Sequence, residues 1–281
     1  LPMTIITIYY IFIKGSLSYT DMVVLYFIGA FVSSALSLLI TGKRLQFGLK
    51  GDFRIWKMIK FSSPYMLYSS LHAMPKLLDI YILQSFFSTG IVGVYAAAKT
   101  LFRVFDEAGN AVFSLVYPAA VRSAGSGSKY ELHALMTKAV SFMLIIFGIS
   151  ALFLELGFSK YLITLLLPYK YTEAVGFFNL LIIAALGIPF VTISLVITAD
   201  GKPEKVLQFI IVGVISSFAA FYAIGIFQLK SLIPVGIIVY YFVCSVLFFI
   251  YLNRRYGFKF KHLFRAVPDT MSFIRARFIN K

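Results

Sequence analysis

Residues 96–113 read AAAKTLFRVFDEAGNAVF, and four charged side chains, Lys99, Arg103, Asp106 and Glu107, interrupt a run that otherwise has the makings of a membrane-spanning helix. At about 1.5 Å per residue the apolar segment 91–121 is some 46 Å long, more than the roughly 30 Å of a bilayer's hydrocarbon core. Asp106 is its midpoint, so the charges lie near mid-membrane, beyond the reach of snorkelling from a helix end. Each costs about 2.5–3.5 kcal/mol there, and four cost on the order of 10–14 kcal/mol, whereas each Leu, Ile, Val or Phe returns about 0.3–0.6 kcal/mol. The apolar residues of the segment do not offset that sum, so this helix is not surrounded by lipid.

At about 100° per residue, Lys99, Arg103, Asp106 and Asn110 fall within a sector of roughly 60°, with Glu107 on its flank. The preceding apolar segment repeats the spacing: His72, Lys76 and Asp79 stand at i, i+4 and i+7. Two neighbouring helices, joined by a short turn at STG, residues 88–90, are therefore predicted to carry matching basic, basic, acidic stripes. Two readings stay open. Lys76 can pair with Asp79 and Arg103 with Glu107, the stripes fastening the helices together. Alternatively the stripes line a hydrated cavity in which Lys76, Lys99 and Arg103 meet an anionic cargo, and Asp79, Asp106 and Glu107 bind a coupling ion or balance the charge. Pro75, beside Lys76, favours the cavity, because it removes a helical hydrogen bond and kinks the chain at the depth of the charges. Broken helices with ionisable groups near the midplane are a recurring transporter arrangement.

The whole chain fits this setting. Of its 281 residues, 60% are hydrophobic and 13% charged, roughly half the charged fraction of a soluble domain. Hydropathy and turn residues place spans near 22–41, 58–83, 91–121, 132–156, 175–199, 205–227 and 232–252, with a shorter apolar run at 3–13. The fold class expected is thus all-α and polytopic, with seven transmembrane helices plus a partial one. The chain opens on Leu1, and with only a partial first span we expect it to belong to a longer protein.

The formal charge of +15 is not that of a nucleic-acid binder, because of where the cations fall. Six Lys and Arg crowd residues 42–60, eight crowd the tail from Arg254, and the connectors on the opposite side hold only Lys14, Lys160, Lys170 and Lys230. This bias puts the tail in the cytoplasm and its basic residues against anionic lipid. The tail stretch KFKHLFRAV, residues 259–267, alternates basic and apolar positions and suits the inner leaflet. Cys244 is the single cysteine, so no disulfide forms within the chain. His72, His133 and His262 are too scattered for metal-ligand spacing. Neither a metal nor another cofactor is expected, nor an enzyme, since no nucleophile or paired-carboxylate constellation lies outside the spans.

The run LLDIYILQSFFSTGIVGVYAAAKTL, residues 77–101, followed by LVYPAAVR at 115–122, resembles the start of the C-terminal half of polysaccharide flippases. These are members of the MATE-like multidrug/oligosaccharidyl-lipid/polysaccharide exporter (MOP) superfamily. The elements that carry the likeness are Asp79 late in one helix, Gly93 and Tyr95 opening the next, and Pro118 with Arg122 at its inner end. The resemblance implies two six-helix bundles joined by a basic cytoplasmic linker. Residues 1–41 would then end a truncated first bundle, 42–60 form the linker, 61–252 the second six-helix bundle, and 253–281 a cytoplasmic tail. It also implies export of a lipid-linked oligosaccharide across the cell (inner) membrane by alternating access. Cavity cations would face the lipid's pyrophosphate, and a proton or sodium ion would drive the cycle. The alternatives are a MATE-type cation or drug antiporter, which calls for a net acidic cavity, and a membrane-embedded polysaccharide polymerase or ligase, which calls for a large outer loop.

Overall fold

The computed structural model describes residues 18–42, 55–127, 129–192, 194–259 and 261. The expectations for the apolar run at 3–13, for most of the basic linker, and for the tail with His262 lie outside them. Two units, Leu1–Arg54 and Ile55–Lys281, divide the chain.

In the first unit, α1 (Tyr19–Gly42) starts on a reciprocal cap. The Asp21 amide donates to Ser18 Oγ (3.3 Å) and the Ser18 amide to Asp21 Oδ2 (3.0 Å), so two N–H groups that a helix start leaves unpaired are satisfied. Phe27, Phe31, Leu39 and Ile40 are all exposed, and a helix with this much exposed apolar surface suits lipid better than water.

The second unit is all-helical among its described residues. Its elements are α2 (Ile55–Leu77), α3 (Asp79–Gln84), α4 (Thr89–Gly125), α5 (Lys129–Phe153), α6 (Ser159–Leu166), α7 (Ala174–Ala185), α8 (Ile188–Thr192), α9 (Ser194–Ala199), α10 (Pro203–Ile226) and α11 (Val235–Tyr256). A π-helical turn, Leu154–Phe158, links α5 to α6 through Gly157, whose φ of 111° a side chain would resist. Pro203 opens α10 at a position where its missing N–H costs nothing. Gly257 closes α11 in the left-handed conformation.

Among the described residues four helical spans are long and apolar enough to cross a membrane: Val23–Ile40, Tyr130–Leu166, Pro203–Ile226 and Lys230–Tyr256. The bent pair Ala174–Ala185 and Ile188–Ala199 makes a fifth if it counts as one span. Several apolar helices of this kind fit a multi-pass membrane protein. The two segments that fall short of the expected seven are α2 and α4, the ones that carry the charged stripes. Their deficit is the polar content itself: Lys57, Lys60, Lys76, His72 and several Ser and Tyr residues in α2, and five charges in α4. α2 also begins at Ile55, so the last residues expected in the linker are helical.

The expected single span 58–83 is two helices. The break falls at Leu78, between α2 and α3, while Pro75 stays inside α2. The expected span 175–199 is likewise divided into α7, α8 and α9.

α10 packs most extensively, against both α11 and α2, and α4 packs against α5 and α7. The α10–α11 pair is drawn close by small residues. A Cβ on Gly213 would collide with Cys244 Sγ, and one on Gly236 with the Phe221 ring. Ser217, one turn beyond Gly213, donates its hydroxyl to the Gly236 carbonyl at 2.7 Å. Without water to drive association, such close backbone approach and interhelical hydrogen bonding are what hold membrane helices together. α2 and α4 do not pack extensively on each other. Their charged stripes face across the gap that remains.

Candidate functional site

The gap is bridged by two crossed ion pairs. Lys76 of α2 reaches Asp106 of α4 (Nζ to Oδ1, 3.0 Å), and Lys99 of α4 reaches Asp79 at the start of α3 (2.6 Å). The pairing of Lys76 with Asp79 is thus not formed: the break at Leu78 separates the two residues into different helices, and each finds its partner on α4. Arg103 and Glu107 do approach each other, but at 3.9 Å and with both side chains about two-thirds exposed.

Asp79 explains the break. The helical partner of the Lys76 carbonyl would be the Ile80 amide, four residues on. The Ile80 amide donates instead to Asp79 Oδ1 (2.8 Å), and the Lys76 carbonyl accepts from Lys99 Nζ (2.8 Å). One backbone hydrogen bond is replaced by a carboxylate on the donor side and an ammonium on the acceptor side. Lys99 Nζ also contacts both Asp79 oxygens, at 2.6 and 2.8 Å, so the same ion pair closes the circuit. The Tyr95 hydroxyl adds a fourth contact to Asp79, donating to Oδ2 at 2.6 Å, and the carboxylate is completely buried.

Around the second pair the partners come from α11. The Tyr241 hydroxyl donates to Asp106 Oδ1 (2.5 Å), and the Tyr240 hydroxyl lies 2.5 Å from His72 Nδ1. His72 Nε2 in turn lies 3.3 Å from Lys76 Nζ. Both tyrosines are buried. Lys76 and Lys99 each also sit 5.4 Å from a tyrosine ring centre, Tyr241 and Tyr95 respectively, at a distance where a ring's quadrupole attracts a cation.

These groups border open space. A chamber of about 520 Å³ is lined by Lys76, Lys99, Arg103, Asp106, Glu107 and Asn110, a size within the usual range of small-molecule sites. A second chamber of about 240 Å³ shares His72, Lys76, Asp106 and Asn110 with the first, and continues towards Tyr68, Thr192 and Ser194. Of the six charged residues singled out by the stripes, five line the larger chamber, while Asp79 sits behind it. Two pairs are therefore closed, with Lys76 on Asp106 and not on Asp79, and they stand beside a cavity whose third pair, Arg103 and Glu107, is open.

Tyr95, Tyr240 and Tyr241 are the site residues that the stripe pattern omits. Two adjacent tyrosines inside an apolar run are a weak signal, since such hydroxyls need a partner when buried. Nothing in their spacing points to helices more than a hundred residues away.

Other charged groups lie apart from the site. Near the far end of α11, Tyr256 donates to Asp200 Oδ2 (2.7 Å) and Arg255 stands 3.7 Å from the same oxygen. Among the described residues no group of three His, Cys, Asp or Glu side chains could hold a metal ion. Comparison of the chain with protein-family models, with curated proteins and with solved structures returned no match.

Proposed function

We propose that this chain is part of a transporter that moves an anionic, phosphate-bearing lipid-linked oligosaccharide across the cell membrane, and that the chamber between α2 and α4 receives its charged headgroup. The observation that carries the reading is a charged chamber of about 520 Å³ flanked by otherwise apolar helices. Charges at such depth are costly, and when they border a void the usual reason is a hydrated path for a polar cargo.

The roles of the cations differ. Lys76 and Lys99 are committed to carboxylates within 3.0 Å. Arg103 is held only by a long contact to Glu107 and exposes its guanidinium to the chamber. Its planar fork of donors suits two phosphate oxygens at once, so Arg103 is the first contact for the pyrophosphate. Lys76, on the wall shared by the two chambers, is the cation nearest to a second contact if Asp106 lets it go. Asp79 is assigned to holding the helix break, not to carrying an ion. Glu107 balances the charge of Arg103 on the chamber wall.

In this reading the chain supplies one bundle of a two-bundle, MATE-like protein of the inner membrane, with its basic tail on the cytoplasmic side, and it catalyses no covalent step. Alternation between outward and inward access would occur as the bundles rock about a midplane site.

The test is complementation. Cells lacking the gene for this chain should accumulate unexported lipid-linked oligosaccharide, and Arg103→Ala in the full chain should restore at most about a tenth of wild-type export, the scale of one lost charge-assisted hydrogen bond. Export at wild-type level by a variant without the guanidinium would refute the assignment. If the Arg103→Ala cells export the glycolipid normally but lose efflux of cationic dyes, the antiporter takes its place.

A further inference from the structure

The two facing stripes do not end with their charges. On α4 the face that carries Lys99, Arg103 and Asp106 continues at the same helical spacing with Asn110, Phe113 and Tyr117. On α2 the face of Lys76 and His72 runs back through Ser69 to Tyr65. The gap between the helices therefore changes character along its length, from ionic groups in the larger chamber to aromatic rings and neutral polar groups in the smaller one.

Aromatic rings wall the smaller chamber from both helices. Tyr65 and Tyr68 of α2 have ring centres 5.5 Å apart, and Phe113 of α4 is backed by Tyr117 in an offset, nearly parallel stack at 5.8 Å. α8 closes in behind because Gly109 has no side chain: a Cβ there would stand 2.8 Å from Ile188 Cγ2. The acid and the base in this lining, Asp106 and Lys76, are already joined at 3.0 Å. An ion finds no unpaired counter-charge here, so the space suits a neutral ligand.

The hydrogen-bonding groups decide which kind. Ser69 donates its hydroxyl hydrogen to the Met66 carbonyl (3.0 Å), and Thr192 donates to the Ile188 carbonyl (2.9 Å). What each has left for a ligand is an acceptor lone pair. A phosphate oxygen, itself an acceptor, cannot use it, whereas a hydroxyl can donate to it. The Asn110 carboxamide lines both chambers and makes no hydrogen bond to another described residue. It presents a donor and an acceptor side by side, so it can give to one hydroxyl and take from its neighbour.

A ligand that combines adjacent hydroxyls with an apolar face is a sugar ring. The C–H groups on one face of a pyranose are weakly positive and rest on the electron-rich face of an aromatic ring. At about 240 Å³ the chamber lies below the roughly 300–1,000 Å³ of drug-sized ligands, so it holds one ring and not an oligosaccharide. Tyr65, 37% exposed, is the more accessible of the two tyrosines on α2.

We propose that the smaller chamber is a saccharide subsite, in which Tyr65 and Phe113 stack on a single pyranose ring and Asn110 hydrogen-bonds its hydroxyls. The inference deepens the transport reading above and rests on it for the carrier. The sugar next to the pyrophosphate occupies this chamber while the pyrophosphate meets Arg103 in the adjoining one, with Lys76 and Asp106 at the junction.

Equilibrium binding to the full chain in lipid nanodiscs tests it with two sets of probes. The first compares undecaprenyl pyrophosphate with the same carrier bearing one glucose, galactose, N-acetylglucosamine or N-acetylgalactosamine. At least one of these should bind about tenfold more tightly than the sugarless carrier, the scale of one net hydrogen bond. Phe113→Leu and Asn110→Ala should each abolish that preference. Phe113→Leu should leave the Kd of the sugarless carrier unchanged, which also shows that the variant is folded. Arg103→Ala should weaken every carrier alike and keep the preference. No preference for any of the sugars, or one that survives Phe113→Leu or Asn110→Ala, overturns the proposal. The second set is the methyl glycosides of the same sugars, which carry neither lipid nor phosphate. If they bind only with Asn110 and Phe113 intact, to a protein that does not bind the carrier, the transport reading falls and the saccharide subsite stands. Carrier binding that depends on Arg103 but gains nothing from any sugar removes the subsite alone.

Discussion

Replacing Asp79 with Asn tests the account of the helix break most directly. The carboxylate is fully buried and takes part in four contacts: two from Lys99, one from Tyr95 and one from the Ile80 amide. Removing one partner of a buried ion pair costs about 3–5 kcal/mol, because the other charge is left uncompensated. Lys99 is not wholly enclosed, since its side chain is 12% exposed and borders the larger chamber. Water can therefore recover part of the loss, which places Asp79→Asn at the low end, near 3 kcal/mol. Lys99→Met leaves the buried carboxylate without its cation and belongs at the high end, near 5 kcal/mol. The double variant strands neither charge. It should lie well below the sum of the two, with a coupling of roughly 2–3 kcal/mol. Equilibrium unfolding in mixed micelles, followed by circular dichroism, measures all three. A cost under about 1 kcal/mol for Asp79→Asn, or additivity in the double variant, would refute the reasoning, because either result means that the pair does not hold the break.

The exposed pair gives the opposite expectation: Glu107→Gln should change stability in the same assay by less than about 0.5 kcal/mol, since a 3.9 Å contact between solvated side chains contributes little. Gly236→Ala should destabilise the protein by about 1–3 kcal/mol, because the added methyl meets the Phe221 ring at a distance that real contacts do not reach and α10 must shift from α11. A thermal midpoint equal to that of the unaltered protein would show that the two helices have room to spare.

The main elements of the fold were legible along the chain because hydropathy is a local property. Runs such as 205–227 and 232–252 correspond closely to α10 and α11, with turn residues and prolines at their ends. The division of 58–83 is not legible in this way: the spacing predicts one span kinked at Pro75, whereas Pro75 lies within α2 and the chain breaks three residues later, at Leu78. The real cause lies in Asp79 and Lys99, which compete with the backbone for the Ile80 amide and the Lys76 carbonyl. That competition needs a lysine twenty residues away to arrive at the same point in space, which no window along the sequence contains.

By itself, then, the sequence determined that six formal charges lie within two consecutive apolar segments, and that four of them share or flank one helical face. Those conclusions follow from composition, rise per residue and the energetics of charge in hydrocarbon, and they hold for whatever the helices pack against. The tertiary structure alone decided which charges neutralise which, because a side chain chooses among the partners that folding brings within reach. It placed Tyr241 on Asp106 across 135 residues of chain, crossed the two ion pairs between α2, α3 and α4, and left Arg103 facing open space. Partner and void are properties of distance in three dimensions, and a one-dimensional pattern carries neither.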